Sequence, residues 1–385
     1  MAGENIVTLC DVDRHRLAAA AKEFPKAKTH TDLRSLLDEH DRLDGVVIST
    51  PDHTHAVATV CALQRGMHVY CEKPLTHWIG EARTVAEAAA KAKRVTQMGT
   101  GAQSNEGEIR TVEIIRSGVI GKIEAVHVWT NRPVWPQGQS RPDASQPAPD
   151  HLDWDCWLGP APERPFVAKY DQGPFAGRNV YHPFVWRGWW DFGTGALGDI
   201  APHAMNVVFW ALNLGAPTRV EATSSDMMSE AFPRSSTIHF DFPAGEFHKP
   251  LRLTWYDGGR RPPAGLVEGR RVGGAGILFV GEKGKFLNDG LFPRERFADY
   301  QPPEPTLPRR IEIHADWIRA VKENDATGCP FDYAGPMTEA YLLGNVALRA
   351  GEPIEWDAAN LRVTNVAEAQ QYIAPPPRKG WELRA

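Results

Sequence analysis

The stretch His68-Val69-Tyr70-Cys71-Glu72-Lys73-Pro74-Leu75 reads as a short β-branched and aromatic strand that stops at a lysine, with a proline directly behind it. Proline fixes its own φ and biases the preceding residue toward extended backbone, so Lys73 is aimed rather than left free to swing. In open α/β sheets the carboxyl ends of the strands are where ligands bind. Taken alone, Lys73 reads as a solvated lysine at a strand end. Its neighbours change that reading.

On the N-terminal side, Asn5–Cys10 is a short apolar run that ends in Asp11-Val12-Asp13, and an Ala-rich helical stretch follows from Arg14 to Phe24. Thr31 to His40 reads as a helix with Thr31 as its N-cap. Gly45-Val46-Val47-Ile48-Ser49-Thr50 is nearly continuous in apolar residues, as expected of a parallel strand buried on both faces, and it gives way to a helix at Pro51. On the C-terminal side, Ile79 to Lys91 is helical, Val95–Gly99 is a strand and Glu106 to Ser117 is a helix. Strand and helix alternating over about 120 residues calls for a doubly wound parallel sheet.

After Gly121 the rhythm changes. Ile123–Thr130 alternates apolar and polar residues, and residues 131–190 are rich in Pro, Gly and Trp. A helix from Asp199 to Leu214 precedes strand-like runs at 219–224, 237–242, 251–256, 276–280 and 285–287, followed by helices at 311–323 and 335–350. The spacing predicts a mainly antiparallel second domain. The expected division is a Rossmann-type domain over 1–121 and an α+β substrate and oligomerisation domain over 122–385. The C-terminal segments are expected to pack back on the first domain.

A formal charge of −5, from 43 basic and 48 acidic residues, with no basic stripe, argues against nucleic acid as a partner. No apolar run approaches the roughly 18 residues of a membrane span. Five scattered cysteines without a CxxC pair argue against a disulfide framework and against a zinc site, and point to a reducing, cytoplasmic setting. Six of the 13 tryptophans fall between residues 135 and 190. Such rings suit either core packing or the C–H face of a sugar.

A Rossmann unit opens with a strand, a G-x-G-x-x-G turn and a helix, and an acidic residue ends the next strand. Asp11 fits that acid, yet no glycine turn precedes it, so the sequence reads as starting at the second strand, about 30 residues short. The literal G-x-G-x-x-G at Gly193–Gly198 follows Trp186-Arg187-Gly188-Trp189-Trp190-Asp191-Phe192, which is not an apolar strand. It is expected to be a turn before a site helix rather than the dinucleotide turn.

Four segments together resemble one family: Asp11 at a strand end, Ser49-Thr50-Pro51-Asp52-His53-Thr54-His55, Glu72-Lys73-Pro74, and Gly195-Ala196-Leu197-Gly198-Asp199-Ile200-Ala201-Pro202-His203. They are similar to the Gfo/Idh/MocA nicotinamide-dependent oxidoreductases. The resemblance gives catalytic positions to Lys73, Asp199 and His203. The last two are four apart on a helix and so share a face. It implies that His203 is the acid/base, that Lys73 holds the reacting oxygen and shares in the proton transfer, and that Asp199 orients the substrate. Asp11, Thr50, Pro51, His55, Glu72, Lys73 and Gln103 are implied to meet the cofactor. Asp11 favours NAD over NADP, because a carboxylate accepts a ribose hydroxyl and repels a phosphate. Tyr181, His182, Arg187 and Trp135 are candidates for substrate contact, and His53 for a solvent-facing turn. Where the family often carries an acid three residues after the histidine, this chain has Asn206. No metal ligand set is expected.

The resemblance implies hydride transfer between nicotinamide and a carbon of a sugar, cyclic polyol or glycoside, in a homo-oligomer. A glycoside hydrolase that uses NAD transiently, by oxidation and elimination, is the alternative. A non-catalytic sugar-binding protein is a further one.

Overall fold

The computed structural model describes residues 3–39, 43–268, 270–288 and 290–383. The first domain alternates β1 (Thr8–Cys10), α1 (Arg14–Glu23), β2 (Lys28–His30), α2 (Leu33–Glu39), β3 (Gly45–Ile48), α3 (Asp52–Gln64), β4 (His68–Glu72), α4 (Ile79–Ala92), β5 (Thr96–Gly99) and α5 (Glu106–Arg116). All of its strand pairings are parallel. Its strands form two groups, β1–β2 and β3–β4–β5, with no pairing between β1 and β3 among the described residues.

That division explains a departure from the sequence pattern. Val47, expected to be buried, is 37% exposed, because among the described residues β3 pairs only with β4. By contrast, Val69, Tyr70 and Cys71 of β4, flanked on both sides, are fully buried. Strand β2 went unread in the sequence because Lys28-Thr29-His30 carries no apolar residue to mark it. Asp32, not Thr31, heads α2, its carboxylate accepting the Arg34 N–H at 2.8 Å. The expected end of that helix at His40 lies outside the described residues.

The second domain begins with β6 (Ile123–Trp129) and α6 (Trp154–Leu158), then α7 (Gly195–Ala204) and α8 (Asn206–Leu212). Strands β7 (Arg219–Ser224), β8 (Ser236–Phe242), β9 (His248–Tyr256), β10 (Gly276–Gly281), β11 (Gly284–Leu287) and β12 (Gly290–Phe292) follow. Helices α9 (Ile313–Glu323) and α10 (Phe331–Ala350) and strands β13 (Ile354–Asp357) and β14 (Arg362–Val363) complete it. The nine-stranded sheet runs β12-β11-β10-β6-β9-β8-β7-β13-β14, antiparallel except where β6 lies parallel to β9. The helix expected over 199–214 is two helices. Pro202 has no N–H to give, and the chain turns at Met205 before α8 begins.

One apolar core runs through both domains. Helix α10, largely buried, packs on α4 of the first domain, where Arg83 grips Glu339 with two hydrogen bonds of 2.8 Å. Just before α10, Cys329 and Phe331 hydrogen-bond to Met98 and Thr96 of β5. No helix among the described residues is long and apolar enough to cross a membrane. None of the five cysteines is in a disulfide.

Candidate active site

Lys73 sits immediately after β4, and its Nζ reaches across to α7. It donates to Asp199 Oδ1 at 2.6 Å and to the Asp199 main-chain oxygen at 3.1 Å. Arg187, from the loop before α7, donates its Nε to the same Oδ1 at 3.1 Å. Asp199 Oδ2 has no hydrogen-bond partner among the described residues, so one carboxylate oxygen is left for a ligand. Burial alone would raise the Asp199 carboxyl. Lys73, then Arg187, outweigh it and hold the group below the usual carboxylate range.

His203 lies one helical turn beyond Asp199, on the same face, with its side chain open to solvent. Its pKa is lowered to about 4, first by desolvation from the protein on the ring's inner side and second by the Lys73 ammonium. At neutral pH it is therefore a neutral imidazole, able to accept a proton. Lys73, Asp199 and His203, brought together from two domains, place a cation, an anion and a base where the end of β4 meets α7.

The loop that aims α7 is locked by residues of the first domain. His77 Nε2 donates to the Trp190 and Gly193 carbonyl oxygens at 2.9 and 3.0 Å. Thr194 Oγ donates to the buried Asp52 carboxylate at 2.7 Å, and Asn345 of α10 donates to the Thr194 carbonyl. His53, expected to face solvent, is only 2% exposed, with ring nitrogens 2.9 Å from the Trp157 oxygen and 3.2 Å from the Phe192 oxygen. The 193–198 glycines serve this packing. Gly195 has φ +67° against the Phe232 ring, and a Cβ on Gly198 would stand 2.2 Å from Thr194 Oγ. The motif is a turn before the site helix. Sequence reading missed Asp52, His77 and Thr194, because nothing in their spacing reveals a partner more than 100 residues away.

Several expected contacts are spent elsewhere. His55 is buried, and both its ring nitrogens lie 2.7 Å from backbone carbonyls, those of Pro74 and Thr50. Only a doubly protonated ring donates to both. Burial opposes that charge, but the Cys71 sulfur, Asp52 and the Pro74 carbonyl outweigh it and push the pKa up to about 10. His55 thus ties the Glu72-Lys73-Pro74 turn to the Thr50-Pro51 turn rather than meeting a cofactor. Gln103 is buried in a side-chain amide pair with Asn206, its Nε2 donating at 3.0 Å, and Tyr333 closes the group at 2.8 Å. Asn206, where an acid was expected, is this partner. Glu72 ends β4 opposite Gly99 of β5. It lies over Gly99, whose added Cβ would come 2.6 Å from its carboxylate, and takes a 3.4 Å contact from the Tyr70 hydroxyl.

Tyr181 is wholly buried among Trp154, Trp157, Trp189 and Phe192, with ring centroids 5.4 to 6.2 Å away. The Trp cluster at that point is core. His182 binds Asp13 Oδ2 at 3.0 Å, tying the loop to the start of α1 instead of reaching Asp199. Trp135 is 4% exposed, its indole N–H on Gln137. Of the four substrate candidates, Arg187 alone touches the Lys73–Asp199 pair. Asp13, His15 and His151 bring possible ligand atoms within 4.8 Å of one another. The two rings, however, stack 4.1 Å apart and nearly parallel, so their in-plane lone pairs cannot converge on one ion. Asp13 is already the cap of α1 and the acceptor for His182.

The fit to a dinucleotide is tested at the strand ends. Asp11 ends β1 partly buried, with Oδ1 accepting the Asp13 N–H at 2.8 Å and no partner on the other oxygen among the described residues. Burial raises its pKa, with the Asp13 N–H opposing. Ser49 and Thr50 are exposed beyond β3, and Pro51 is half-buried. These groups fit a ribose and a nicotinamide arm. Among the described residues no G-x-G-x-x-G turn stands at the end of a parallel strand to hold a pyrophosphate; β5 runs into Gly99-Thr100-Gly101.

Comparison with known proteins now gives the class. The model of the Gfo/Idh/MocA oxidoreductase family, NAD-binding Rossmann fold, matches residues 1–100, and that of the family's C-terminal alpha/beta domain matches residues 114–247. The chain belongs to this family. Inositol 2-dehydrogenase of Salmonella paratyphi B is 33% identical over 129 residues, which are 33% of this chain and 38% of that enzyme. Inositol 2-dehydrogenase 1 of Saccharopolyspora erythraea is 34% identical over 130 residues, again 33% and 38%. The matches thus span about two fifths of these relatives' length. Among solved structures, the myo-inositol dehydrogenase of Lactobacillus casei with NAD(H) and myo-inositol has a TM-score of 0.57 at 15% identity, over 95% of this chain and 93% of that one. The WlbA dehydrogenase of Bordetella pertussis gives 0.60 at 17%, over 91% and 90%. At such identities the likeness shows the fold.

Proposed function

We propose that the protein is an NAD-dependent oxidoreductase that oxidises a hydroxyl-bearing carbon of a sugar or cyclic polyol, or reduces the matching carbonyl. The observation that carries this reading is the Lys73–Asp199 pair at 2.6 Å, with His203 one turn away on α7. When bound, a nicotinamide supplies the hydride acceptor. Lys73 hydrogen-bonds the reacting oxygen and stabilises the negative charge that develops there. Neutral His203 takes the hydroxyl proton. Asp199 Oδ2 accepts from a neighbouring hydroxyl, and Arg187 holds the carboxylate in place. Asp11 would accept the ribose hydroxyls, with Thr50 and Pro51 lining the path toward Lys73. The inositol and levoglucosan dehydrogenases among the similar proteins support a polyhydroxylated ring as substrate.

The test is absorbance at 340 nm with NAD and a panel of inositols, aldoses and anhydrosugars. NADH accumulating with one class of ring supports the reading. Cleavage of an aryl glycoside without net NADH would move it to a glycosidase that uses NAD transiently.

Assembly belongs to the same proposal. The uncovered face of the nine-stranded sheet presents Thr237, His239, Asp241 and Arg252, with ion pairs such as Arg252–Asp241 at 2.7 Å. Such a half-buried polar face suits pairing with a second copy. Light scattering at monomer mass would remove this part.

A further inference from the structure

Phe184 combines three features that a packing residue does not need. Its backbone has φ +73° and ψ −42°, a region bulky side chains adopt only at a cost. The Val185 N–H donates to the Pro183 oxygen at 2.9 Å, closing a three-residue γ-turn of the uncommon hand. The residue is nevertheless 50% exposed. Val134 beside this region is 53% exposed, and Trp135 meets Phe184 edge to face at 6.1 Å. With Gly177, Arg178 and Asn179 they line a shallow groove.

The strained turn is wired to the site. Arg187 donates to the Phe184 carbonyl at 3.0 Å and to Asp199 at 3.1 Å, and its guanidinium lies 4.6 Å from the Phe184 ring centre. Trp135 and Val185 also pack on Ala196, in the first turn of α7. The shelf is therefore tied to Asp199 through Arg187 and to the first turn of α7 through Ala196.

We propose that the Phe184–Val134 shelf binds a second sugar ring, so that the preferred substrate is a glycoside rather than a single ring. This rests on the sugar or polyol chemistry proposed above. A pyranose has an apolar C–H face and hydroxyl edges. The shelf offers the exposed Phe184 and Val134 side chains as an apolar floor, with the exposed Arg178 and the Asn179 amide also in the groove's lining. A patch of two exposed apolar side chains is too small for a protein partner. Strain kept in a surface turn is accounted for when the ring it displays has a ligand.

The experiment is a tryptophan-fluorescence titration of the protein with cellobiose, maltose, trehalose and sucrose, each against its single rings. At least one disaccharide is expected to bind about tenfold more tightly than its rings, a difference within the range of ring stacking on an aromatic face. In Phe184→Ala, and independently in Val134→Ser, which leaves the turn intact, that ratio is expected to fall to about threefold or less. Retention of the wild-type ratio in both folded variants, or no disaccharide preference at all, overturns the shelf. A parallel NADH assay separates the two proposals. A disaccharide preference without NADH leaves the shelf and removes the dehydrogenase, whereas NADH from single rings without that preference does the reverse.

Discussion

Lys73 and His203 answer to different chemical demands, and each is testable by itself. Lys73→Met removes the ammonium from the reacting oxygen while roughly keeping the side-chain volume. Loss of about 10² to 10³ in kcat is expected, measured as NADH formed at saturating substrate. For His203, a pKa near 4 means that the base is already unprotonated at neutral pH. The acid limb of kcat/KM for oxidation should therefore fall well below pH 6.5 rather than near it. His203→Gln should lower the plateau and erase that limb. An acid limb at pH 6.5 that survives in His203→Gln would show that another group takes the proton.

The loop before α7 and the two turns behind Lys73 are the elements that hold the site, and their histidines carry opposite signs. His77 is buried and neutral, with its folded pKa lowered to about 3, first by burial and then by the nearby His53. Unfolded, it takes up a proton near pH 6.5, so acid favours the unfolded chain. Its stabilisation is complete above pH 6.5 and is lost as pH falls toward its folded value. Between pH 7 and 5 this one residue should cost about 2 kcal/mol, read as a shift in urea midpoint that His77→Gln does not share. His55 runs the other way. With a folded pKa raised to about 10, its contribution is full below pH 6.5 and fades as pH rises through 10. At the turn itself, Gly198→Ala should lower stability by about 1–3 kcal/mol, because its Cβ would meet Thr194. Thermal melting measures that loss.

At the scale of the whole molecule, alternating apolar runs made the doubly wound first domain and the mainly antiparallel second one legible, because strand and helix leave different periods. Lys73, Asp199 and His203 were legible through a family resemblance, and Arg187 through its place in the Trp-rich loop. The rest of the site was not. His55, Gln103 and His182 look like ligand contacts in sequence, yet each is satisfied by a partner on another element: Pro74 and Thr50, Asn206, and Asp13. Long-range pairing of this kind leaves no local pattern. Nor did the sequence distinguish the buried Tyr181 and Trp135 from the exposed Phe184, since an aromatic residue reads the same in core and in groove.

Both domains contribute to one centre. The direct measurement is NADH formation by wild type, Lys73→Met and Asp199→Asn with the best ring from the polyol and sugar panel, all three checked for folding by circular dichroism. A centre shared between the domains predicts turnover in wild type and about a hundredfold or greater loss in both variants, one from each side of the 2.6 Å pair. Wild-type rates in either variant, or no NADH from any ring while NAD binds, would contradict it.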